Sequence, residues 1–135
     1  MKLWLKGEKA GQSETLVDNL PGCPDNIHLA PNGSFWIALQ QLNSPLLDLT
    51  GGRSIAKRVL ASFPALVERA KAGLRRRAMV AQVSENGDIL RLLDDSEGKV
   101  MGLVTSATEF DGHLYIGGLG ADFVGKLSLA QLATQ

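Results

Sequence analysis

The chain holds a single cysteine, Cys23, in 135 residues, and only 5% of its residues are aromatic. One thiol excludes an internal disulfide framework and a Cys-rich zinc site. An excess of charge of one sign is also lacking, since 14 Lys+Arg stand against 14 Asp+Glu. That balance excludes a nucleic-acid binder of the globally basic kind, and no nucleic-acid partner is expected. No apolar run approaches the roughly 20 residues that cross a bilayer as a helix. The opening residues MKLWLKGEKAG lack the apolar h-region of a signal peptide, so any targeting signal is expected to lie outside this chain. There is no G-x-S-x-G, P-loop, H-E-x-x-H or C-x-x-C motif, which leaves no ready-made nucleophile elbow, phosphate cradle or zinc site.

What is present is a core's worth of apolar residues, 44% of the chain, arranged mostly as short strands. Lys2–Lys6 and Glu14–Asp18 read as two strands around the loop glycines Gly7 and Gly11. Asn26–Ala30 and Ser34–Leu39 flank Asn32-Gly33, a strong hairpin signal. Ala78–Ser84 and Asp88–Leu93 flank Asn86-Gly87. Val104–Glu109 and His113–Gly118 flank Asp111-Gly112, with Phe123–Leu127 following. The first and last of these hairpins repeat one pattern: an Asx-Gly turn, a polar residue, aliphatic or aromatic residues, then a small one (Ala38, Gly117). Gly33 and Gly112 lie 79 residues apart. Less an insertion of about 30 residues, the repeat is about 49, the size of a propeller blade. Small residues at Ala38 and Gly117 suit a crowded propeller axis. A sandwich explains the turns but not the repeat, so the expected fold is all-β and part of a propeller.

The insertion runs over residues 43–77. It is basic: residues 53–77 hold eight Lys or Arg and one acid, Glu68, while the rest of the chain holds six bases and 13 acids. Apolar residues recur there at three- and four-residue steps, predicting two amphipathic helices over 53–61 and 64–72. Pro64 fits the first turn of the second helix, capped by Ser62, and Gly73 its end. These helices could pack over the propeller, close its mouth as a lid, or touch a membrane surface through Arg75, Arg76 and Arg77.

Chemistry concentrates at Leu20-Pro21-Gly22-Cys23-Pro24-Asp25-Asn26-Ile27. Two prolines and a glycine stiffen the entry to a strand that begins with an acid and an amide. Hard cations such as Ca²⁺ take oxygen ligands of those two kinds; the competing reading is an Asx turn after Pro24. Cys23, with no candidate base beside it, is expected to be a small buried hydrophobe. His113, after a turn glycine, is expected to face solvent. His28 alternates with Asn26 and could share its opening.

Trp4-Leu5-Lys6-Gly7, Leu20-Pro21-Gly22-x-Pro24-Asp25-Asn26-Ile27, Gly33-x-Phe35-Trp36 and Glu109-x-Asp111-Gly112-His113-Leu114-Tyr115-Ile116-Gly117 together resemble the strictosidine synthase-like family. The likeness is to its adipocyte plasma membrane-associated and plant strictosidine synthase-like branch, and it covers essentially the whole chain. The resemblance implies a six-bladed propeller of which residues 1–135 are the C-terminal part, about two and a half blades. Residues 2–18 would be the outer strands of one blade. Residues 25–94 would be the next, carrying the insertion 43–77, and 104–127 an incomplete last blade whose final strand comes from elsewhere. A truncated, inactive product is then expected, with open edges when taken alone.

By the same resemblance, Asp25 and Asn26 stand at the position of a central Ca²⁺ of related calcium-dependent lactonases and arylesterases, with further ligands on other blades. The complete protein would be a metal-dependent hydrolase of a small-molecule substrate, placed in the endomembrane system, vacuolar or secreted. The alternative is a non-enzymatic propeller that binds a ligand or partner. True synthases carry a catalytic glutamate four residues before the position of Glu109, and Thr105 stands there. A hydroxyl cannot take the proton that a carboxylate base would take, so synthase chemistry is not expected. Glu109 itself is expected to be exposed.

Overall fold

Asx-Gly pairs set where the chain reverses, and the apolar runs between them set what pairs. The computed structural model describes residues 1–42, 62, 63, 65, 78–95 and 97–132. The predicted helical insertion at 43–77 therefore lies outside the described residues, apart from Ser62, Phe63 and Ala65. Nine strands are present among the described residues: β1 (Lys2–Leu3), β2 (Ser13–Glu14), β3 (Gly22–Leu29), β4 (Phe35–Leu42), β5 (Ala78–Val83), β6 (Ile89–Asp95), β7 (Val104–Phe110), β8 (His113–Gly118) and β9 (Gly125–Ser128). One short helix, α1 (Leu129–Leu132), follows. They form three antiparallel meanders: β1-β2, β3-β4-β5-β6 and β7-β8-β9.

The turns obey the glycines. Gly33 and Gly87 adopt φ of 84° and 96°. In both hairpins the glycine N–H donates back three residues, Gly33 to Ala30 and Gly87 to Ser84. Asn32 secures the first, its Oδ1 accepting from the Ser34 N–H at 3.1 Å and the Ser34 hydroxyl at 2.7 Å. Gln82 from β5 then donates to the Ser34 oxygen. At the third turn both Asp111 and Gly112 have positive φ, the two-residue geometry that matches strand twist.

The middle sheet is covered on both faces. Trp36 and Ala38 of β4, with Ala78 and Val80 of β5, pack against Val104, Ala107, Leu114 and Ile116 of the β7–β9 sheet. The alternate residues Ile37, Leu39, Ala81 and Val83 meet Val17 and Leu20, which follow β2. β5 is consequently buried along almost its whole length, as strands flanked on both sides are. Three sheets packed in series differ from a two-sheet sandwich, whose outer faces stay wet. The arrangement is consistent with part of a β-propeller.

The outer coverage is uneven. The β1–β2 unit abuts the β5–β6 turn, where a Cβ on Gly87 would lie 1.8 Å from the Leu16 carbonyl oxygen. The edge strand β3 is left bare on that side, and Ile27 and Leu29 are 55% and 67% exposed.

Candidate functional site

β3 is an edge strand and carries the acid–amide pair. Its register against β4 slips twice: Cys23 faces Gln41, Pro24 faces Leu39, and Ile27 faces Ile37. Asp25 and Asn26 therefore both lie across from Ala38, a β-bulge that re-aims two side chains where an unbroken strand would aim one. β7 has its own bulge. Val104 pairs with Gly118 and Ser106 with Gly117, leaving Thr105 without an opposite residue.

The two bulges meet. The Asn26 Nδ2 donates to the Thr105 main-chain carbonyl at 2.8 Å, across 79 residues of chain. That separation equals the Gly33–Gly112 repeat, so the bulges occupy matching positions in neighbouring sheets. Asn26 and Thr105, singled out separately in the sequence, thus come together. A carbonyl only accepts, so the contact also fixes which end of the Asn26 amide points at β7. Asp25 and Asn26 are exposed, and Thr105 and Ser106 are half-buried. Among the described residues the Asp25 carboxylate takes no hydrogen bond from the backbone after Pro24, as an Asx turn would require.

Several sequence expectations are corrected here. Cys23 is exposed, not buried, because an edge strand has no neighbour on one side to cover it. Glu109 is half-buried rather than exposed. It lies opposite the fully buried Leu114 and so faces the neighbouring sheet, where its Oε2 accepts from the Trp36 indole Nε1 at 2.7 Å. Trp36, only 1% exposed, requires such an acceptor. Ala38 and Gly117 stand on β4 and β8, the second strands of their sheets, each opposite a bulge. At Gly117 a Cβ would come within 2.8 Å of the Ser106 Oγ, so its smallness makes room for a hydroxyl.

The histidines stay apart from one another. His28 is half-buried opposite Trp36, on the same face of β3 as Asn26, the one turned towards β7. His113 is half-buried, and its Nδ1 lies 2.7 Å from the Asp111 carbonyl oxygen, which places the proton on Nδ1. Its ring is tilted against Tyr115. Among the described residues no three His, Cys, Asp or Glu side chains gather as a metal cluster, and no helix is long and apolar enough to cross a membrane.

Two features were not read from the sequence. Asp95, at the end of β6, takes backbone N–H bonds from Lys99, Val100 and Met101 at 2.8–2.9 Å. Burial pushes its pKa up, but those three donors and the Lys99 charge outweigh it and hold the carboxyl below its ordinary 3.8. Beside it a cavity of about 550 Å³ opens between β5–β6 and β8–β9, floored by Leu92, Leu93, Met101, Ile116 and Leu127. Its lining is mixed, with Arg91, Asp94, Asp95 and Lys126 beside the apolar side chains, and does not include the bulge residues. The bulges themselves had a signal: applying the 79-residue offset to Asn26 lands on Thr105.

No family model matches the chain. It is 31% identical over 132 residues to the adipocyte plasma membrane-associated protein of Bos taurus, a match covering 95% of this chain and 32% of that protein. It is 34% identical over 131 residues to the strictosidine synthase-like 3 protein of Arabidopsis thaliana, covering 95% and 33%. With the strictosidine synthase-like 10 protein of the same plant the figures are 32% over 132 residues, 96% and 35%. The chain spans about a third of the length of these curated relatives, consistent with a C-terminal portion. Over that span the chain is similar to adipocyte plasma membrane-associated and strictosidine synthase-like proteins.

Proposed function

We propose that these strands belong to a six-bladed propeller whose hub gathers oxygen ligands, and that the complete protein is a metal-dependent hydrolase of ester or lactone substrates. In this reading β3–β6 is a whole blade, β1–β2 the outer half of the preceding one, and β7–β9 three strands of the next. The bare Ile27 and Leu29 support it, since the inner strands of a preceding blade would lie over them.

The carrying observation is the meeting of the two bulges, where Asp25 and Asn26 lie together and exposed on the edge strand that this reading makes the innermost of its blade. Their donors fit a hard cation in kind, a carboxylate and an amide oxygen. In number they fall short of the six to eight oxygens that Ca²⁺ takes, so the remaining ligands come from strands beyond these nine. When bound, Ca²⁺ would polarise the substrate carbonyl. Asp25 would hold it by charge and Asn26 through Oδ1. Thr105 offers a hydroxyl and a main-chain carbonyl but no carboxylate, so it cannot serve as the general base of a condensing synthase.

The named relatives that are plasma membrane-associated support a membrane or endomembrane location, vacuolar or secreted in the finer reading. The sequence run Arg75-Arg76-Arg77 is the proposed contact with an anionic membrane surface.

The test is arylester hydrolysis by the complete protein with and without a calcium chelator, and with Asp25→Ala. Loss of activity in both cases with an unchanged melting temperature supports the reading. Activity indifferent to both removes it.

A further inference from the structure

We infer that the Thr105 main-chain carbonyl is a positioning group for Asn26, holding the amide so that Oδ1 is presented to the hub. The inference rests on the metal reading above and goes one step further into the site. An exposed asparagine on a smooth strand can present either end of its amide, because the two ends differ little in size. Here the choice is removed. The Nδ2 is committed to the Thr105 carbonyl at 2.8 Å, and Oδ1, on the other branch of Cγ, must then point away from β7.

The device needs both bulges. The bulge in β3 places Asn26 and Asp25 together across from Ala38, and the bulge in β7 leaves Thr105 unopposed on β8. The backbone before Thr105 is itself held. Leu103 sits at φ 47°, a left-handed conformation that a bulky residue keeps only where its surroundings hold it. Its carbonyl accepts from the Leu119 N–H at 3.0 Å. A Cβ on Gly118 or Gly120 would strike the Gly102 or Leu103 carbonyls at 2.7–2.9 Å. A tightly packed backbone thus fixes the carbonyl that fixes the amide. The side chain of Thr105 has no part in this contact, which is made by its main-chain carbonyl.

The experiment measures calcium affinity by calorimetry and melting temperature in EDTA for the complete protein, Asn26→Asp and Thr105→Ala. Aspartate is the better calcium ligand by charge, but it has no N–H for the Thr105 carbonyl. The inference predicts that Asn26→Asp binds calcium at least about tenfold more weakly, as expected for loss of a hydrogen bond at the site, and melts lower in EDTA. Thr105→Ala should leave both values unchanged. If Asn26→Asp does not fold, Asn26→Ala carries the melting readout in EDTA, where loss of the Nδ2 bond should lower the melting temperature and an unchanged value overturns the inference. An Asn26→Asp protein that binds calcium as tightly as the unsubstituted one overturns the inference, as does a large loss in Thr105→Ala. A failure of the metal reading shows instead in the unsubstituted protein, as absence of calcium uptake.

Discussion

Glu109 and Asp95 are carboxylates put to structural use, and each carries a prediction. Glu109 gives the buried Trp36 indole its acceptor. Removing it strands an N–H in the core, at about 1–3 kcal/mol. Glu109→Ala should therefore lower stability in a denaturant titration by that amount, while Glu109→Gln, which keeps an acceptor oxygen, should lose less. Equal losses in the two would deny the bond its role. Asp95 is held below its ordinary pKa by three backbone donors and Lys99, against the opposing push of burial. A depressed carboxyl contributes stability that is present above its unfolded value, and the contribution fades as pH falls through the folded one. Stability should thus decline below about pH 4, and Asp95→Asn should remove that part of the decline while lowering stability at neutral pH. The Glu109 contact was hidden in the sequence because its partner is 73 residues away. Cys23 was misjudged because thiols are usually buried, and nothing local marks a strand as lying at an edge.

Among the elements, the hairpins were legible and the bulges were not. Asn32-Gly33, Asn86-Gly87 and Asp111-Gly112 announce their turns because few residues tolerate positive φ. β8 runs over His113–Gly118 as expected. β1 and β2 are much shorter than the runs suggested. The chain beyond Leu3 enters a loop in which the Trp4 N–H donates to Gln12 and the Gly11 N–H to Trp4. Val17 is spent on packing against the middle sheet, not on pairing. Bulges escape period-2 reasoning because they break the period. Gly87 is where an element-scale test is sharpest: it has φ 96° and the Leu16 carbonyl against its α-carbon. Gly87→Ala should cost about 1–3 kcal/mol from backbone strain alone. It should also push the β1–β2 unit away, read as faster amide exchange at Trp4 and Gly11, whose N–H groups bond across that unit. Unchanged exchange there would mean that this unit is not seated on the turn.

At the scale of the molecule, three sheets in series leave apolar surface where further sheets would stand. Ile27 and Leu29 are bare on one side, and Phe110 is 70% exposed on the far sheet; β9 has an unpaired edge, which invites association. The 135-residue chain expressed by itself should self-associate. A monodisperse monomer of 14.4 kDa with a cooperative melt would contradict that. The repeat was legible because two hairpins share a pattern, whereas the proposed ligand set was not, since it would need donors beyond Asp25 and Asn26. The most direct measurement is a crystal structure of the complete protein grown in calcium. The account predicts an ion at the ring's hub with the Asp25 carboxylate and the Asn26 Oδ1 about 2.3–2.6 Å from it. An Asp25 side chain turned to bulk water with no ion beside it, or sheets stacked face to face without a hub, would contradict it.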